Sequence, residues 1–106
     1  MSELVRVCRA EDVTEDEPVS VDVQGFPPLA AFEIGGEYFV TDNNCTHGKG
    51  LLSEGLQKGG TIKCPFHGGV FDIKTGEAVA YPCQKPLRTY GVTLIDGWIM
   101  ITNTTR

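Results

Sequence analysis

Short apolar blocks, several alternating with polar residues, run the length of this chain. No segment of ten or more residues repeats its apolar positions at helical spacing. Val19-Ser20-Val21-Asp22-Val23 alternates at period two, which predicts a strand with one buried face. Leu4-Val5-Arg6-Val7-Cys8 is strand-prone, and Gly25-Phe26-Pro27-Pro28 breaks the pattern further on. Residues 29–34 predict a strand and Tyr38-Phe39-Val40 its neighbour, with Gly35-Gly36 turning the chain between them. Residues 88–94 and 98–101 predict another pair, joined at Asp96-Gly97, a strong hairpin signal. Trp98, Ile99 and Ile101 read as core or edge packing. The expected fold is all-β, an antiparallel sandwich or barrel.

Residues 43–82 have a different character. Eight of the 13 glycines fall between Gly48 and Gly76, and the apolar runs are too short for helices. A loop-rich subdomain inserted between regular strands is expected. At 106 residues the chain fits a single domain, 1–106, large enough to bury a core without disulfides. No apolar run approaches the roughly 20 residues needed to cross a bilayer, and no basic start precedes an apolar stretch. A soluble, cytoplasmic protein is expected, in a compartment where four cysteines serve metal binding or burial more readily than disulfides.

The net charge of −5 is unevenly spread. Residues 1–48 carry 10 acidic and 2 basic side chains, and residues 49–106 carry 4 acidic and 7 basic ones. Five carboxylates crowd residues 11–17, which read as a solvated turn. An acidic protein is a poor ligand for nucleic acid, since phosphate binding needs clustered Lys and Arg.

Chemistry concentrates in two short stretches. Cys45-Thr46-His47 and Cys64-Pro65-Phe66-His67 contain both histidines of the protein. Each pairs a soft thiolate with an imidazole, which suits a binuclear cluster whose two irons are unequal, one held by two Cys and one by two His. A Cys₂His₂ zinc site uses the same residue types, but it usually places two cysteines in one knuckle and two histidines elsewhere. The adjoining Gly48, Gly50, Gly68 and Gly69 allow tight turns that bring N–H groups towards sulfur.

The stretches Cys-Thr-His-Gly and Cys-Pro-Phe-His-Gly-Gly-Val-Phe-Asp resemble the two cluster-binding loops of Rieske proteins, and the resemblance covers nearly the whole chain. It is most similar to the ferredoxins of bacterial aromatic-ring-hydroxylating dioxygenases. The resemblance implies a Rieske-like β fold with a cluster-binding subdomain at about 43–82. It also implies one [2Fe–2S] cluster held by Cys45, His47, Cys64 and His67, and a covering loop at Tyr81-Pro82-Cys83-Gln84-Lys85-Pro86-Leu87. The implied partners are a flavin-containing, NAD(P)H-linked ferredoxin reductase and a terminal oxygenase, both transient, with no membrane. A Rieske subunit of another redox system, such as a demethylase or nitrite reductase, and a zinc-stabilised interaction module are the alternatives.

Departures from the respiratory Rieske type point to a low potential. The positions of its disulfide cysteines hold Gly50 and Phe66, and the positions of its serine and tyrosine donors hold Gly69 and Phe71. None of these side chains donates a hydrogen bond. Cys8 is expected as a buried strand residue and Cys83 as packed under the covering loop. Lys49, Leu51, Phe66, Pro82 and Lys85 are expected near the cluster as a small docking surface. With both histidines committed, no non-haem iron triad or nucleophilic triad can be built, so one-electron transfer is the chemistry left and the chain is not expected to be an enzyme.

Overall fold

The computed structural model describes residues 4–15, 17–44, 50–65, 69–80 and 86–102. Their strands are β1 (Leu4–Arg9), β2 (Val19–Val21), β3 (Leu29–Ile34), β4 (Glu37–Asp42), β5 (Leu56–Lys58), β6 (Thr61–Lys63), β7 (Val70–Asp72), β8 (Ala78–Ala80), β9 (Thr89–Tyr90), β10 (Val92–Ile95) and β11 (Trp98–Thr102). They form three sheets, ordered β1-β11-β10, β2-β3-β4-β9 and β5-β6-β7-β8, and every pairing is antiparallel. The only helical pieces among the described residues are 3₁₀ turns at Ala10–Asp12 and Leu52–Glu54. None of these residues forms a helix long and apolar enough to cross a membrane.

The pattern of β3 explains the layering. Leu29, Ala30, Ala31 and Phe32 are all fully buried. Successive strand residues point to opposite faces, so a run buried throughout must be covered on both sides. Leu29 and Ala31 join Val7, Val13, Val40, Ile99 and Ile101 in one core cluster. Ala30 and Phe32 join Leu52, Ile62, Cys64, Phe71 and Ile73 in the other. The β3 sheet is therefore the middle layer, with the terminal sheet on one face and the β5–β8 sheet on the other. Each large side chain buried this way contributes about 1.5–3 kcal/mol.

Both expected hairpins form. Ile34 pairs with Glu37 across Gly35-Gly36, and Ile95 pairs with Trp98 across Asp96-Gly97. All four turn residues have positive φ, between 52° and 90°, the conformation a two-residue turn needs to match strand twist.

Three expectations change in detail. Residues 88–94 were expected as one strand but divide at Gly91: β9 pairs with β4, whereas β10 pairs with β11. A chain that turns a corner between sheets cannot stay in one ladder. The alternating run at 19–23 ends early, because the Phe26 N–H donates to the Val23 carbonyl (3.0 Å) in a turn. The subdomain expected to be loop-rich carries a four-stranded sheet whose strands are three residues each, too short for periodicity to register.

Ile99 and Ile101 are fully buried, as expected. Trp98 is half-buried, with the guanidinium carbons of Arg6 and Arg9 4.8 and 5.2 Å from its ring centroid. Cys8 is half-buried, not buried. A bulge between Arg6 and Cys8 sets it opposite Ile99 at the margin of the core. Burial, then the nearby Asp12 carboxylate, push its thiol pKa up. Of the acidic segment, Glu11, Asp12, Glu15 and Glu17 are exposed and Asp16 lies outside the described residues. Thr14 caps the turn by donating to the Glu17 carboxylate (3.0 Å).

Candidate metal centre

The main chain closes the described residues on either side of each stretch expected to bear ligands. In the first, β4 runs out at Asp42, Asn44 bridges to Leu51, and the Leu52 N–H donates to the Asn43 carbonyl (2.8 Å). That closure joins Asn43 and Asn44 to Leu51 and Leu52. In the second, Lys63 pairs with Val70, and the Cys64 N–H donates to the Gly69 carbonyl (2.7 Å). This closes the chain between β6 and β7 at Cys64 and Gly69.

Of the four expected ligands, the described residues include Cys64; Cys45, His47 and His67 lie outside them. Cys64 is 1 % exposed and packs with Leu52, Ile62 and Phe71. Pro65, next in the chain, is exposed. The residue is thus fixed at the junction between core and loop. Leu52 follows the first loop directly, so both loop bases are anchored in one apolar cluster above Phe32 of β3.

Leu87, the end of the segment expected to cover the cluster, is tied to the same platform. Asp72 accepts hydrogen bonds from Lys74 N–H (2.9 Å) and Thr75 N–H (3.2 Å), which shapes the β7–β8 turn. The Leu87 N–H donates to the Gly76 carbonyl (2.7 Å) and its side chain is buried in the cluster with Cys64. One residue on, the Arg88 carbonyl accepts from Asp42 N–H (3.0 Å), joining this segment to the base of the first loop. Tyr90 donates to the Asp42 carboxylate (2.6 Å). Burial first, then that carboxylate, push the Tyr90 hydroxyl pKa up to about 12. Cys83 and the expected docking residues Lys49, Phe66, Pro82 and Lys85 lie outside the described residues; Leu51 is half-buried at the Asn44 bridge.

Gly50 and Gly69 are buried without side chains beside the two loops, and Phe71 is fully buried in the cluster that holds Cys64. Neither Gly69 nor Phe71 carries a side-chain hydroxyl. The sequence reading passed over Asn43. Its only mark in the sequence was its place two positions before Cys45. Asn43 is fully buried and holds Ser20 and Ser53 through its side chain.

Cysteine and histidine in both stretches, with Cys64 buried at the base of one closure, are residues of the kind that hold an iron–sulfur cluster, the centre of a one-electron carrier. The chain belongs to the Rieske [2Fe–2S] domain family, which it matches over residues 3–91. It is 41 % identical over 102 residues to the ferredoxin component of the p-cumate 2,3-dioxygenase system of Pseudomonas putida, covering 95 % of this chain and 86 % of that one. The Sphingomonas yanoikuyae B1 ferredoxin superposes with a TM-score of 0.94 at 50 % identity, over 96 % of this chain and all of that one. A chain of the complex of reduced oxygenase and oxidised ferredoxin in carbazole 1,9a-dioxygenase superposes at 0.89 with 35 % identity, over 97 % and 95 %. The chain is accordingly a Rieske ferredoxin, an electron-transfer component and not a catalytic subunit. The family places a [2Fe–2S] cluster here, not zinc. When bound, that cluster accepts and donates one electron at a time.

Proposed function

We propose that this chain accepts single electrons from a flavin-containing, NAD(P)H-linked ferredoxin reductase and delivers them to a terminal aromatic-ring oxygenase, with Cys45, His47, Cys64 and His67 holding the cluster. One Rieske domain over 1–106, with residues 43–82 as its cluster-binding part, acts in the cytoplasm, and each partner contact is transient. The observation that carries the reading is the pair of loops, each closed at its base, that contain a Cys-x-His and a Cys-x-x-His, with Cys64 buried at one closure. Fixed loop ends would hold the ligands in place while the charge of a bound cluster changes by one electron. The p-cumate relative is the ferredoxin component of a dioxygenase system, and the carbazole structure pairs a ferredoxin with an oxygenase. Both support the choice of acceptor.

The exposed Lys58 and Lys63 lie on the sheet of the Cys64 loop, whereas the exposed acidic turn follows β1 in the terminal sheet. Such a separation of charge favours one orientation of approach to a partner. The ligand test is Cys45→Ser and Cys64→Ser, each expected to lose the visible spectrum and bound iron and to destabilise the surrounding segment, since metal binding contributes folding energy. Full colour and iron in either variant would refute the ligand set. The partner test is anaerobic rapid mixing. The reduced protein should be reoxidised by a terminal aromatic-ring oxygenase, and a lack of electron transfer to any such oxygenase would refute the acceptor.

A further inference from the structure

We propose that Asn43 is a positioning residue for the cluster: its side-chain amide sets the segment carrying Cys45 and His47 against the Cys64 loop. The inference rests on the reading of Cys45 and His47 as ligands. Asn43 is 0 % exposed at the end of β4, where an apolar residue would be buried at less cost. Its polar groups are matched instead. The Nδ2 amide donates to Ser20 Oγ (3.2 Å) and Ser53 Oγ (3.0 Å), and Oδ1 accepts from Ser53 N–H (2.8 Å). Its main-chain N–H donates to the Pro28 carbonyl (2.8 Å) and its carbonyl accepts from Leu52 N–H (2.8 Å).

These partners come from separate segments. Ser20 is on β2, Pro28 precedes β3, and Ser53 lies in the 3₁₀ turn that follows the first loop. Asn43 and Ser53 therefore bracket residues 45–50 from both sides, and the Ser20 bond fastens the bracket to the middle sheet. Leu52, between the two halves of the clamp, packs in the cluster that contains Cys64. A satisfied polar network inside an apolar core admits few alternative geometries. Here it fixes the distance between the first loop and the base of the second. Groups that orient metal ligands without touching the metal typically change metal affinity by roughly 10–100-fold when lost.

The test uses the full-length protein with its cluster. Asn43→Leu keeps the branching and heavy-atom count of the side chain, adds volume and removes the bonds. It should release iron to a chelator about tenfold or more faster than the parent and change the circular dichroism of the cluster bands. Asn43→Asp retains the acceptor for Ser53 N–H but loses both amide donors, and should release iron more slowly than Asn43→Leu and faster than the parent. If Asn43→Leu does not fold, Ser20→Ala with Ser53→Ala, which strips both side-chain acceptors from the amide, should move release in the same direction by a smaller factor. Thr41→Val is the control. Thr41 is as buried, two residues away on β4, but its hydroxyl serves only the Asp42 carbonyl (2.9 Å) among the described residues. It should lower thermal stability and leave release and spectrum as in the parent. Parental release and spectrum in Asn43→Leu, or in the serine pair, would overturn the proposal while loss of the cluster in Cys45→Ser kept the ligand reading. Equal acceleration by Thr41→Val would overturn it too. A Cys45→Ser protein that kept its cluster would overturn the ligand reading, and the Asn43 role with it.

Discussion

Adding one methyl group at Gly55, beside the β5–β8 sheet, should be costly, because main-chain atoms already fill the space a Cβ would take. Gly55 follows the 3₁₀ turn Leu52–Glu54 and starts the approach to β5. Its backbone is extended, with φ of −88°, so the requirement is for space and not for a left-handed conformation. A Cβ there would stand 2.0 Å from the Lys63 carbonyl oxygen, 3.1 Å from its carbon and 3.2 Å from the Leu52 oxygen. All three are main-chain atoms. No side chain can swing aside, so the two segments must separate by about 1 Å to reach a normal carbon–oxygen contact near 3.0–3.4 Å. That movement pulls on the Leu56–Lys63 pairing and on the residue just before Cys64. Overpacking usually costs about 1–3 kcal/mol, and a backbone-on-backbone clash belongs at the upper end. At roughly 4–8 °C per kcal/mol for a domain of this size, Gly55→Ala should lower the melting temperature by about 10–25 °C. The assay is thermal unfolding of the cluster-loaded protein, followed by far-ultraviolet circular dichroism and by visible absorbance. Gly60→Ala is the control, since nothing lies within 4 Å of its Cβ and its φ is not positive. It should melt within a degree or two of the parent. A Gly55→Ala protein that melted with the Gly60→Ala control would refute the close-approach reasoning.

Two further outcomes are expected. The midpoint potential should lie near the lower end of the Rieske range, about −150 mV, and Gly69→Ser and Phe71→Tyr should each raise it by about 40–90 mV if each new hydroxyl favours the reduced state by about 1–2 kcal/mol. Redox titration checks this, and a parent midpoint above about +100 mV would end the low-potential reading. Tyr90 has a pKa raised in the folded state, so it stabilises the fold fully below its ordinary value of 10.0, and that stabilisation is lost as pH rises through about 12. Tyr90→Phe should cost about 1–2 kcal/mol at pH 7, because Asp42 loses its 2.6 Å donor, and should flatten the alkaline fall in stability between these values. Urea unfolding from pH 7 to 12 measures both; an unchanged alkaline limb would remove Tyr90 as its cause.

The amino-acid sequence by itself determined the local features of this protein. A two-residue turn declares itself through the residues that tolerate positive φ, so Gly35-Gly36 and Asp96-Gly97 were legible without partners. The continuous apolar run of β3 marked a strand. The cluster motif was legible for a related reason, since ligand chemistry restricts residue types over a few positions and leaves them on the page as a pattern. Tertiary structure decided whatever depends on contacts distant in sequence. Which strands β9 and β10 join is set by β4 and β11, and residues 88–94 carry no mark of the corner at Gly91 beyond the glycine itself. The burial of β3 on two faces required both neighbouring layers. The three-residue strands of the β5–β8 sheet are held by ladder bonds and by packing on Phe32, not by their own propensity. Asn43 shows the limit most sharply. Its partner Ser20 lies 23 residues away, and only folding turns an ordinary polar residue at a strand end into the clamp on the first loop.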